Sequence, residues 1–142
     1  MSKVDFYVIS SAGESSRRQF ACRLAEKAWR LDNKVHIVTD TEASARQLDE
    51  LLWTFRDGSF VPHERVGDSA AVLPAPVTIG IDSSPPRETD LLINLSHEFP
   101  AAADAYPRVA EIVTADEDAL NRSRQRFVDY RERGHTLDTH KL

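Results

Sequence analysis

Ser10 and Ser11 close one apolar run at residues 4–10, Asp40 follows a second at 35–38, and Asp82 follows a third at 77–81. Hydroxyls and carboxylates placed after such runs are where an α/β enzyme keeps a nucleophile or a phosphate-binding loop. One reading is therefore a small nucleotide-binding or hydrolytic α/β enzyme built on Ser10, Ser11 and Asp40. The surrounding residues argue against it. The turn after the first run holds one glycine, Gly13, where a dinucleotide loop needs three, and it carries no P-loop lysine. Glu14 in the same turn would repel a phosphate. Asp40 lies in Thr39-Asp40-Thr41, where helix capping accounts for it, and Asp82 opens the Ser83-Ser84-Pro85-Pro86 turn. His36, His63, His97, His135 and His140 are scattered, with no pair four residues apart, and Cys22 is the single cysteine. No zinc-ligand spacing and no Gly-x-Ser-x-Gly elbow is present, so neither metal nor cofactor is expected.

Two other constellations suit contact rather than catalysis. Residues 51–63 place Trp53 at the end of a helical pattern, a short polar turn after it, and then Phe60-Val61-Pro62-His63. Aromatics in a loop either fold back on the core or anchor a partner. The second constellation is the last helical pattern. At about 100° per residue, Arg122, Arg126 and Arg133 fall on one side, and Leu120, Arg124, Phe127 and Arg131 on nearly the opposite one. A stripe of guanidinium and apolar groups suits a short peptide with hydrophobic side chains, acidic neighbours and a terminal carboxylate. The plainer alternative is a solvated helix with Leu120 and Phe127 turned to the core and arginines at its edge.

The elements that carry these residues follow from patterning. The first run reads as a buried strand. Ser15 or Ser16 caps a helix in which Phe20, Leu24, Ala28 and Leu31 recur at helical spacing. A strand at 35–38 leads to a helix opened by Thr39-Asp40-Thr41, with Ala45, Leu48, Leu51 and Leu52 on one side. Residues 53–76 read as a long connection rich in Gly and Pro. Strands are expected at 77–81, 91–95 and 108–113, a helix from about 116 to 133 ending at Gly134, and an extended tail from 134 to 142. Strands without polar alternation, separated by amphipathic helices, predict a three-layer Rossmann-like α/β sandwich with a mostly parallel, five-stranded sheet. At 142 residues and 41% hydrophobic, residues 1–142 are expected to form one domain. No apolar run approaches a membrane span, the amino terminus lacks a secretory pattern, and a lone cysteine suits a reducing compartment; a cytoplasmic location is expected. A net charge of −5 has the wrong sign for gripping phosphates, so strong direct nucleic-acid binding is not expected even though five arginines lie between residues 122 and 133.

Several segments in order resemble one family, the chi subunit of bacterial DNA polymerase III holoenzyme, a component of the clamp-loader assembly. They are Ala25-Glu26-Lys27-Ala28-Trp29, Lys34-Val35, Leu48-Asp49-Glu50-Leu51-Leu52-Trp53, Ser59-Phe60-Val61-Pro62-His63, Ala75-Pro76-Val77, Asp90-Leu91-Leu92-Ile93-Asn94-Leu95, Val109-Ala110-Glu111-Ile112-Val113, and residues 124–131 with Gly134. The resemblance implies a non-catalytic accessory subunit in DNA replication, located at the replisome and nucleoid, that bridges two partners. It implies that Trp53, Phe60, Val61 and Pro62 face the psi subunit, on a surface that a repair helicase can also use. It further implies that Arg124, Phe127, Leu120 and Arg131 receive the carboxyl-terminal tail of single-stranded DNA-binding protein, with Arg124 as the central contact. Leu120 stands where the family carries a lysine and Phe127 where it carries a tyrosine, which removes one charge and one hydroxyl from that site.

Overall fold

The computed structural model describes residues 1–66 and 75–142; the part of the expected long connection at 67–74 lies outside the described residues. The element order is β1 (Lys3–Val8), α1 (Glu14–Arg30), β2 (Val35–Val38), α2 (Glu42–Thr54), β3 (His63–Arg65), β4 (Val77–Gly80), β5 (Leu91–Asn94), β6 (Arg108–Val113), α3 (Glu117–Glu132) and β7 (Thr136–Lys141), with a 3-10 turn at Ala103–Ala105. The strands form one sheet in the order β3-β4-β2-β5-β6-β1-β7, and every pairing is parallel.

Among the described residues the sheet has seven strands rather than the five expected. The two extra ones are its edges, β3 and β7. His63-Glu64-Arg65 and Thr136-Leu137-Asp138-Thr139-His140-Lys141 are polar because an edge strand is wet on one side, and so they lack the apolar signature of the central strands. The expected tail is a strand over most of its length.

Successive side chains on each strand point to opposite faces, and both faces are covered. Ile37, Ile79, Ile93, Ala110 and Ile112 pack under Ala21, Cys22 and Ala25 of α1 and Leu48 and Leu52 of α2. Val4, Phe6, Leu92, Val109 and Val113 pack on the other face beneath Tyr130 of α3 and Tyr106. Strands buried on both sides read as continuous apolar runs, which is why β1, β2 and β4 to β6 were legible.

The helix ends differ in detail from expectation. α1 starts at Glu14 from Gly13 at φ 91°, one residue before Ser15. The α2 cap is Thr41, whose hydroxyl accepts from Ser44 N at 3.1 Å, and Asp40 plays no part in it. α3 closes as expected on Gly134 at φ 85°, with His135 N donating to Tyr130 O at 3.2 Å.

Candidate functional site

Ligands of parallel α/β folds sit beyond the carboxyl ends of the strands; beyond β2 and β4 a recess of about 510 Å³ lies open beside Asp40 and Asp82, whereas at the ends of β5 and β6 the space is filled by the protein itself. Arg17 of α1 is buried, although its spacing reads as part of a wet helix face. Its Nε donates to Ile112 O at 3.1 Å, Nη1 to Leu95 O at 2.9 Å and Nη2 to Asn94 O at 3.3 Å, so one guanidinium laces the ends of β5 and β6. The space left between Arg17, Glu111 and Arg126 is about 30 Å³, room for a water or two.

Beside it lies a buried polar network. Glu111 of β6 accepts from Tyr130 Oη at 2.6 Å, Asn94 Nδ2 at 2.9 Å and Arg126 Nη1 at 3.3 Å. Burial, then the Glu111 charge and hydrogen bond, push the Tyr130 hydroxyl far above its ordinary range, which keeps it a donor.

The residues of the enzyme reading are not brought together. Ser10 follows β1 and Asp40 follows β2, with β5 and β6 between them in the sheet, so their strands are three spacings apart, about 14 Å. Asp40 instead pairs with His97, Oδ2 to Nδ1 at 2.5 Å, and its other oxygen accepts from His97 N at 3.0 Å. Asp82 does as a turn aspartate should, accepting from Ser84 N at 2.8 Å.

Among the described residues, one group could offer three metal-ligand atoms: Asp5, Asp138 and His140, all within 4.8 Å of one another. Its negative charge is already met. Arg108 Nη2 lies 2.9 Å from Asp5, and Lys3 Nζ lies 4.0 Å from Asp5 and 3.7 Å from Asp138. Burial raises the Asp5 carboxyl, but the bonds from His140 and Arg108 outweigh it and hold the group below its usual value.

The aromatic constellation is at the β3 edge. Trp53 is 49% exposed and Phe60 60% exposed, yet their rings touch at a centroid distance of 5.4 Å, and Trp53 also rests on His63 at 4.4 Å. His63 is fixed from below, with Nδ1 2.6 Å from Val61 O and Nε2 2.9 Å from Asp49 O. Pro62 is half-buried, and Val61 is completely buried in the α1/α2 core. Val61 therefore cannot present its side chain to a partner; it anchors the loop that presents Phe60.

The basic constellation is at the opposite edge. Arg124 is exposed and, among the described residues, reaches only Asn121 Oδ1 of its own helix, at 3.0 Å. Next to it, Phe6, Val8, Val113, Phe127 and Thr139 wall an apolar recess of about 230 Å³ between α3 and the β1–β7 side of the sheet. Arg131 extends from the same helix, 6.0 Å from the centroid of Phe127. Leu120 is packed against the core beneath α3 and does not line the recess. Its neighbours on the other helix face are spoken for: Arg126 by Glu111, and Arg133 by the face of Phe99 at 4.0 Å. Sequence reasoning missed the recess walls Phe6, Val8, Val113 and Thr139. The first three looked like ordinary core, and recognising Thr139 required seeing β7 as a strand.

Over residues 1–138 the chain matches the family described as DNA polymerase III chi subunit, HolC. The chain belongs to this family. It is 44% identical to DNA polymerase III subunit chi of Pseudomonas aeruginosa over 142 residues, covering 100% of this chain and 98% of the relative. It is 31% identical to the chi subunit of Escherichia coli over 144 residues, covering 98% and 97%. Membership of the chi family makes the chain an accessory subunit in DNA replication, as its ordered motifs implied. Among solved structures, T4 UvsW superposes with a TM-score of 0.68 at 7% identity, over 99% of this chain and 41% of that one, which shows a shared fold alone. No helix among the described residues is long and apolar enough to cross a membrane.

Proposed function

We propose that this chi-family chain is a non-catalytic bridge in the clamp-loader assembly. It docks the psi subunit on the Trp53–Phe60 surface and the carboxyl-terminal tail of single-stranded DNA-binding protein at the Arg124 recess. The observation that carries this reading is placement. The aromatic pair sits over β3 and the recess beside β7, the two edges of a seven-stranded sheet, roughly 29 Å apart across six strand spacings. Both surfaces can then be covered at once. Aromatic side chains are enriched at protein interfaces, Trp above all among their hot spots, and a guanidinium beside an apolar recess suits an acidic peptide that ends in a hydrophobic residue and a carboxylate.

Tethering is the role this arrangement supports. Holding a flexible tail raises the local concentration of the polymerase assembly where single strands are coated, without a strong grip on DNA by a chain of net charge −5. At the ends of β5 and β6 the Arg17 guanidinium supports a non-catalytic role, because a nucleotide seated there would have to displace a group that satisfies several buried carbonyls. The work is cytoplasmic, at the replisome. A repair helicase using the Trp53–Phe60 surface would compete with psi and not with the tail.

The test is a titration of the chain with purified psi and with a synthetic tail peptide, separately and then together. Each should bind as tightly in the presence of the other as alone. Trp53→Ala and Phe60→Ala should each weaken psi binding tenfold or more, about the cost of removing an interface anchor, and leave the peptide isotherm unchanged. Mutual exclusion of the two ligands, or full psi affinity in both variants, would overturn the bridge.

A further inference from the structure

Glu26 belongs to the Ala25-Glu26-Lys27-Ala28-Trp29 segment of α1, away from both docking surfaces in sequence, and it is a carboxylate whose buried neighbours on the helix are Ala21, Cys22, Ala25 and Ala28. It is only 5% exposed. Among the described residues its carboxylate meets three partners, and two of them come from the turn that carries Phe60. The Ser59 hydroxyl donates to Oε2, Arg56 Nη2 lies 2.6 Å from Oε1, and Arg30 Nη2 from one turn further along α1 lies 3.8 Å from Oε2. A buried carboxylate loses its hydration, and an ion pair seldom returns more than that loss, so an apolar residue here would serve packing as well. What a carboxylate does that an alanine cannot is hold a turn in one orientation. This turn needs holding, since it pivots on Gly58 at φ 74° and Phe60 beyond it is mostly in water.

We infer that Glu26 is a positioning residue for the Trp53–Phe60 surface: through Ser59 and Arg56 it fixes the turn at 56–59, so that Phe60 meets Trp53 before any partner arrives. The inference rests on the reading of that surface as the psi site. Ordering this turn in advance removes an entropic cost from binding, and affinity rises without any contact between Glu26 and the partner.

The experiment compares Glu26→Ala, Glu26→Gln and Ser59→Ala with Phe60→Ala in the full chain. Each is titrated with purified psi and with the tail peptide, and the Trp53 indole resonance is followed by NMR. Glu26→Ala should weaken psi binding about tenfold, the effect of freeing one or two interface side chains. It should also move the Trp53 resonance toward its position in Phe60→Ala and leave tail-peptide affinity as in the parent. Glu26→Gln, which still accepts from Ser59, should recover most of both effects, a rescue that a role confined to charge or helix stability would not give. If Glu26→Ala does not fold, Ser59→Ala, which removes one turn hydroxyl, should show the same resonance shift and a smaller loss of psi. Parent-like psi affinity and an unmoved Trp53 resonance in Glu26→Ala, or in Ser59→Ala where that variant stands in, would overturn the positioning role when Phe60→Ala still loses psi. Parent-like binding by Phe60→Ala itself would instead remove the surface assignment on which the inference stands.

Discussion

Arg126 and Glu111 close on each other beneath α3, with Nη1 3.3 Å from both carboxylate oxygens, and the second arm of Arg126 donates to His97 O at 2.8 Å. Arg124, two residues earlier, turns the other way and, among the described residues, meets no carboxylate. Two arginines that look alike in sequence therefore divide between holding the fold and facing a partner.

This division predicts opposite outcomes for two alanine variants. Arg124→Ala should lower tail-peptide affinity roughly tenfold to a hundredfold, the worth of a charge-assisted bond, with the melting temperature unchanged. Arg126→Ala leaves Glu111 buried without its cation and should cost about 3 kcal/mol, read by urea unfolding. Equal effects of both variants on stability would contradict the division.

All three tyrosines are held above their ordinary range. Burial is the largest cause in each: Tyr7 and Tyr106 are pushed further by the charges of Asp5 and Asp82, and Tyr130 by Glu111. Absorbance titration of the native chain should show the phenolate steps displaced upward from pH 10, with Tyr106 and Tyr130 ionising only when alkali unfolds the protein. Reversible native ionisation of all three tyrosines at pH 10 would count against the described packing.

His36 makes folding sensitive to acid. It is fully buried, its Nδ1 2.7 Å from Thr78 Oγ1 and its Nε2 2.9 Å from Asp82 O. Burial lowers its pKa from 6.5, and the opposing contribution of Asp82 does not restore it. The unfolded chain therefore binds a proton that the folded chain refuses. Stability is intact above pH 6.5 and falls as the pH drops from there toward the lower folded value, by at most about 1.4 kcal/mol per pH unit. His36→Asn should flatten this limb in urea unfolding at pH 7.5 and 5.5; an unchanged slope would assign the effect elsewhere.

Cys22 lies wholly inside the α1 core, where burial pushes its thiol up to about 12. It should resist iodoacetamide at pH 8 and react fully once urea is added, as followed by mass spectrometry. Rapid native alkylation would show that α1 opens without global unfolding.

What could be read from residues alone was whatever local chemistry repeats. The apolar runs at β1, β2 and β4 to β6, the period of the three helices and the Gly134 stop follow from burial on both sheet faces and from backbone sterics, and each leaves a mark within a few neighbouring residues. The two constellations at Trp53–Phe60 and on α3 were visible for the same reason, since large aromatics and arginines are uncommon enough in such places to be noticed.

The tertiary structure decided the questions that depend on residues far apart in the chain. β3 and β7 are strands because an existing sheet offered their backbones partners, and their own side chains do not ask for it. Arg17 and Glu26 share the helical period of solvated residues, and only the ends of β5 and β6 in one case and the 56–59 turn in the other show them to be buried. Asp40 met His97 rather than capping α2, and Val61 went into the core while its neighbour Phe60 stayed out. A side chain's partners across the fold are set by sheet order and register, and no window of local sequence contains that information.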